Sequence, residues 1–297
     1  MSTLQTVPID FEQYDPKNIV LWDTYVQIKN EYIELQKAVL RRNKPYLIES
    51  EKGQGKTLAV HTLCKNHNIA LVTEPVGSGT TKYDLIGHRE INSNGTTFEL
   101  GLLPRAIEVA NEYKHALLYG DEANAQDHDT QRWWNSICDG RASVVANGKT
   151  YRLNEGCKLS IVWTVNPITY AGINTMTEDL RSRFTGTVWE YPSSDELKRI
   201  VDWTGIDKES IREPLLQFIQ DVYAFKVKNE VDYALSIRDV TQFCDFIRSE
   251  YDDSEEHRSQ TSIIKEAIKQ VLLIKFGDPT ERELVRIRAT DTFGVSL

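Results

Sequence analysis

Residues Pro45 to Thr57 read PYLIESEKGQGKT. The apolar run YLIES passes into a glycine-rich stretch ending Gly55-Lys56-Thr57, and TLAVHTLCKNHN continues with helical character. Strand, glycine loop and helix in that order match the phosphate-binding pattern G-x-x-x-x-G-K-[ST], except that Ser50 stands where the first glycine belongs. Phosphate oxygens need short N–H donors with no side chain in the way. Gly53 and Gly55 permit that approach, Gln54 lies between them, and a helix starting near Lys56 turns its positive end toward an anion. The Lys56 ammonium suits the outer phosphates, and the Thr57 hydroxyl suits Mg²⁺. Ser50 is compatible with such a loop if its φ is negative.

Outward from this stretch, strands and helices alternate. YLIES, IALVTE, HALLYGDE, LSIVWTVN and GTVWEY read as strands, with helices at TLAVHTLCKNHN, LPRAIEVANEYK and TQRWWNSICDG. Near-continuous apolar strands in alternation with helices predict an α/β fold, a parallel sheet covered on both faces in three layers. Ahead of it, Tyr25, Ile28, Tyr32, Leu35 and Val39 fall on one helical stripe. Asn94-Gly95 and Asn147-Gly148 are two-residue hairpin signals, since both turn positions need a positive φ. From Ser193 the strands stop. A Ser193–Glu196 capping box opens a run of amphipathic helices, and YDDSEEH reads as a solvated loop among them. The expected domains are an N-terminal arm (1–22), a nucleotide-binding α/β domain (23–192) and an all-helical lid (193–297). Residues 1–18 lack periodicity; the arm and the tail RIRATDTFGVSL read either as docking elements or as disordered ends, and chain ends are usually the latter.

Three further positions carry chemistry. Asp121 and Glu122 emerge at the carboxyl end of an apolar strand, where open α/β sheets bind ligands. Asp121 can serve the metal, and Glu122 can polarise a water. Asn166 ends the next apolar strand, where a neutral amide can orient that water.

The order of glycine loop, Asp-Glu strand, Asn-tipped strand and EDLRSRF resembles an AAA+ ATPase core. The pattern is similar to the MoxR-type (helix-2-insert, dynein-related) group of these P-loop NTPases. YDLIGHREINSNGTTFELGLLPRAI and GRASVVANGKTYRLNEGCKLSIVWTVNP resemble that group's two hairpin-bearing segments, so both Asn-Gly turns fall where it carries hairpins. The resemblance implies that Lys56 and Thr57 bind phosphate and Mg²⁺, with Asp121 at the metal. It implies Glu122 as catalytic base and Asn166 as first sensor. It implies Arg183 as the arginine finger, with Arg181 as fallback, and Arg238 as the second sensor on the lid, in a helix capped by Ser236. The residue restraining Glu122 has no match; Thr73 is the nearest guess. Also implied are ATP hydrolysis in a hexameric ring, a lid that hinges on the core, and a protein client, of which some in the group bear a metal-ion-dependent adhesion domain.

Two other readings compete, a nucleic-acid motor or restriction-type subunit and a non-hydrolysing nucleotide-dependent scaffold. The net charge of −9 argues against the first, as does TVNPITYAG, which lacks a Met-Asn-x-x-Asp sensor pattern. Intact Lys56, Asp121 and Glu122 argue against the second. The four scattered cysteines predict reduced thiols. No signal peptide is visible, and no apolar run approaches the roughly 20 residues of a membrane helix. A soluble, cytoplasmic protein is expected.

Overall fold

A computed structural model describes residues 4–93, 95–140, 142–167, 175–252 and 258–297. The chain forms two compact units. One runs to Glu51 and from Lys56 to Glu190; the other joins Lys52–Gly55 to Tyr191–Leu297.

The first unit contains β1 (Gln5–Thr6), α1 (Glu31–Arg41), β2 (Tyr46–Ser50), α2 (Lys56–Asn66), β3 (Ala70–Thr73) and α3 (Lys82–Ile86). After these come β4 (Gly87–Asn92), β5 (Gly95–Leu100), α4 (Leu102–Tyr113) and β6 (His115–Gly120). Short helical turns α5 (His128–Gln131) and α6 (Asn135–Cys138) lead to β7 (Ser143–Ala146), β8 (Lys149–Arg152), β9 (Lys158–Val165), α7 (Glu178–Arg181) and β10 (Thr185–Trp189). Five strands form an all-parallel sheet in the order β10-β2-β9-β6-β3. One face packs Leu103, Ile107, Trp134 and Trp163, and the other packs Leu35, Val39, Val60 and Leu63. The three-layer α/β architecture expected from the alternation is therefore present. Because β2, β9 and β6 are neighbours, their carboxyl ends open side by side.

Both hairpins form, β4 on β5 and β7 on β8. Asn147 and Gly148 have φ of +49° and +72°, as the turn requires. Asn94 lies outside the described residues, as do residues 168–172 of the TVNPITYAG segment and residues 253–257 of YDDSEEH.

Four sequence expectations need correction. Helix α1 starts at Glu31, so Tyr25 and Ile28 precede it. Their spacing fits a helix, but the Glu31 carboxylate accepts the Ile28 and Lys29 N–H groups at 2.8 and 2.6 Å and the Tyr25 hydroxyl at 3.2 Å. Those bonds fold the preceding segment over the helix start. TQRWWNSICDG is not one helix, since a 3₁₀ turn at Arg132–Trp134 separates α5 from α6. The N-terminal arm is docked: β1 pairs with β5, the Asn147 side chain donates to Leu4 O at 2.8 Å, and Tyr14 and Pro16 are buried.

The fourth correction lies in the second unit, where the C-terminal tail is helical to Phe293. That unit consists of α8 (Ser194–Trp203), α9 (Glu209–Val227), α10 (Ile237–Asp252), α11 (Gln260–Ala267), a π-helical turn at Ile268–Leu272, and α12 (Pro279–Phe293). Phe293 packs its ring against Phe218 and Phe243, and Arg288 pairs with Asp221 at 2.6 Å. These contacts hold α12 although its sequence shows little amphipathic period. The expected capping box stands, with the Ser193 N–H and hydroxyl on Glu196 at 2.7 and 2.8 Å.

Ser160 of β9 spends its hydroxyl proton on Val39 O at 3.1 Å and so accepts from Nε2–H of His115, at the head of β6, at 3.0 Å. Burial, with Lys158 adding, pushes the His115 imidazole down to about 4. Below its ordinary value of about 6.5 the unfolded chain takes up a proton that the folded chain refuses. Stability is therefore full above that value and lost as pH falls toward the folded one. The thermal midpoint is expected to drop across this window, with a shallower drop in His115→Gln; parallel curves for the two proteins would refute the assignment.

Candidate functional site

Strand β2 delivers the glycine loop. Ser50 is its last residue, paired with Trp189 of β10, and it lies outside the positive-φ region. The condition for a serine there is thus met. Its hydroxyl, bonded to Glu51 O at 3.0 Å, also accepts from Lys56 Nζ at 3.0 Å. Lys56 is only 7% exposed. Its ammonium donates further to Ser50 O, Glu51 O and Asn166 Oδ1 at 2.8, 3.1 and 3.2 Å. A cluster of acceptors thus holds the buried charge. Gly53 and Gly55 take φ of +74° and +81°, which a side chain would strain.

Strand β6 delivers Asp121 and Glu122. Thr57, in the first turn of α2, donates to Asp121 Oδ2 at 2.8 Å, and Thr164 of β9 donates to Asp121 Oδ1 at 2.5 Å. Tyr119 lies beneath them, its hydroxyl 3.2 Å from Thr57 Oγ1 and 3.1 Å from Thr164 Oγ1. Burial, with the Asp121 charge adding, holds that phenol well above its ordinary value and so protonated. The Glu122 side chain is exposed, while its backbone sits in the left-handed region at φ +48°. For a non-glycine residue that conformation costs about 1–3 kcal/mol. Glu122 is fixed there by its N–H, shared between Asp121 Oδ1 at 3.1 Å and Thr164 Oγ1 at 3.3 Å.

Strand β9 ends at Val165, and Asn166 follows, 2% exposed. Its carbonyl accepts from Asn124 Nδ2 at 2.9 Å and its side-chain oxygen from Lys56, while its amide nitrogen is buried with no hydrogen-bond partner among the described residues. A buried NH₂ without an acceptor is costly, and a ligand oxygen would satisfy it.

Lys56, Thr57, Asp121, Glu122 and Asn166 therefore converge at three adjacent strand ends. Thr164 and Tyr119 join them and were missed, since inside apolar strands both read as core. Thr73 is exposed at the end of β3, opposite Tyr119 in the ladder. Arg183 is folded onto Asp179, bonding its carbonyl and, at 2.6 Å, its Oδ1, whereas Arg181 is exposed.

In the second unit the Ser236 hydroxyl accepts the Asp239 N–H at 3.3 Å, and Asp239 Oδ2 accepts the Ser236 N–H at 2.8 Å. Arg238 thereby falls in the first turn of α10, its N–H 3.4 Å from Gly53 O. A Cβ added to Gly53 would meet Ser236 Oγ at 2.4 Å, a second reason for glycine at that position.

The profile described as AAA domain (dynein-related subfamily) matches residues 45–184, which hold every first-unit residue of this constellation. Residues 45–184 are an AAA domain of the dynein-related subfamily. The chain is 24% identical over 271 residues to an uncharacterized protein of Staphylococcus haemolyticus, covering 87% of itself and 97% of that protein. The denitrification regulatory protein NirQ of Stutzerimonas stutzeri is 27% identical over 60% of this chain and 62% of its own length. Protein CbbQ of Hydrogenophilus thermoluteolus is 21% identical over 66% and 72%. The crystal structure of NtrX from Brucella abortus shares the fold, at 14% identity and a TM-score of 0.54 over 93% of this chain and 67% of that one. Among the described residues, no helix is long and apolar enough to cross a membrane.

Proposed function

We propose that this chain hydrolyses Mg²⁺-bound ATP within a hexameric ring and uses the energy to remodel, activate or metal-load a partner protein. The observation that carries the reading is the buried amide nitrogen of Asn166, without a hydrogen-bond partner among the described residues, beside the Lys56 ammonium and the Asp121–Glu122 strand end.

In this reading residues 23–192 are the nucleotide core, 193–297 the lid and 1–22 an arm. Gly53, Gln54, Gly55 and Lys56 cradle the phosphates, and the Lys56 ammonium exchanges its carbonyl partners for phosphate oxygens. Thr57 and Asp121, whose oxygens already lie 2.8 Å apart, are hard donors suited to Mg²⁺, which takes its remaining ligands from phosphate and water. When bound, Mg²⁺ supplies charge neutralisation at the β- and γ-phosphate oxygens. Glu122 accepts a proton from the attacking water, and Asn166 Nδ2 donates to the water or the γ-phosphate. Arg238 serves the same phosphates from the lid.

Arg183 acts in trans. The side chain of its partner Asp179 is 64% exposed, against 25% for Arg183 itself, and a neighbour's triphosphate, the more highly charged anion, would draw the guanidinium off it. A finger in trans needs head-to-tail contacts, which close into rings. NirQ is named as a denitrification regulator, and by analogy a regulated protein is the client here. The net charge of −9 disfavours a nucleic-acid substrate.

Mixing two dead variants tests the composite site. Glu122→Gln and Arg183→Ala are each expected to be inactive. Random mixing in a ring restores an intact base opposite an intact finger at about a quarter of the interfaces. No recovery on mixing would refute the trans role of Arg183.

A further inference from the structure

The proposed reaction leaves one buried polar group beneath the site unused, the hydroxyl of Tyr119. It lies 3.2 Å from Thr57 Oγ1 and 3.1 Å from Thr164 Oγ1. Each threonine hydroxyl has one proton, and both are spent on Asp121, at 2.8 and 2.5 Å. Both threonine oxygens are therefore acceptors toward Tyr119, which has a single proton to give. Thr164 Oγ1 also receives the Glu122 N–H at 3.3 Å.

We propose that Tyr119 is a positioning residue whose one proton passes between Thr57 and Thr164, linking cation occupancy at Thr57 to the seating of Glu122. This rests on the nucleotide reading above. A divalent cation at Thr57 Oγ1 draws on the lone pairs that this oxygen offers to Tyr119. The tyrosine proton then turns to Thr164, where it shares the oxygen with the Glu122 N–H. That N–H has a second acceptor in Asp121 Oδ1 at 3.1 Å, so its balance between the two shifts. Cation loading is thereby felt at the strained backbone of Glu122 by rotation of one hydroxyl. Without the Thr164 oxygen, the tyrosine proton is left with Thr57 and the Asp121 carboxylate, the two groups proposed to hold the cation, and opposes it.

The test is a set of Mg²⁺ titrations of the binding of a fluorescent, non-hydrolysable ATP analogue. It compares wild type, Tyr119→Phe, Thr164→Val and the double variant. Thr164→Val is expected to raise the half-saturating Mg²⁺ concentration, and adding Tyr119→Phe is expected to recover about fivefold, the worth of one net hydrogen bond. A part played only through packing predicts the opposite, a double variant weaker than either single one, and that result overturns the proposal. If Thr164→Val does not fold, the NMR resonance of Tyr119 labelled at Cζ decides instead, in the wild-type analogue complex. A shift on adding Mg²⁺ supports the moving proton, and an unchanged resonance refutes it. Wild type that fails to bind the analogue refutes the nucleotide reading and this proposal together. Wild type that binds, with no recovery in the double variant, refutes only the role of Tyr119.

Discussion

Lys56→Ala is expected to weaken nucleotide binding by at least about a hundredfold, the first of the two largest effects. Charge-assisted hydrogen bonds contribute about 1.5–3 kcal/mol each, and an ammonium placed between outer phosphates makes two or more of them. Two such bonds give about 3–6 kcal/mol, and each 1.4 kcal/mol is tenfold. In the free chain the same ammonium satisfies Ser50 O, Glu51 O and Asn166 Oδ1, so alanine also leaves buried acceptors without a donor. A lower thermal midpoint should accompany the binding loss, and binding is best titrated well below it. Affinity within about fivefold of wild type would place the phosphates elsewhere.

Glu122→Gln is expected to lower turnover by about 10²–10⁴, the usual worth of a positioned general base, while nucleotide affinity stays near wild type. Glutamine keeps the length and the left-handed backbone but cannot take a proton from water. The backbone itself supplies a second arm. Glycine removes the left-handed strain at φ +48°, so Glu122→Gly should raise the thermal midpoint while turnover is equally lost. A destabilised glycine variant would show that the conformation is not strained.

That the glycine loop, the acidic strand end and Asn166 come together was legible, because each is a special residue type at the tip of an apolar strand. Tyr119 and Thr164 were not. Only the register of β6 on β9 and the neighbouring first turn of α2 bring their hydroxyls to Asp121. The Arg183–Asp179 pair had a signal, an acid and an arginine at i,i+4 in EDLRSRF, of the kind that pairs on a helical surface. The start of α1 was misread because Tyr25 and Ile28 fit the period; no pattern of apolar spacing reveals a carboxylate that captures two backbone N–H groups. The docked arm depends on contacts distant in sequence, with the Asn147 turn holding Leu4.

Phosphate release from Mg²⁺-ATP by the purified wild-type chain, followed across protein concentration, tests hydrolysis at this site most directly. The account predicts measurable release whose rate per chain rises with concentration as the ring assembles, then levels. Nucleotide binding with release no faster than that of Glu122→Gln at any concentration would contradict it.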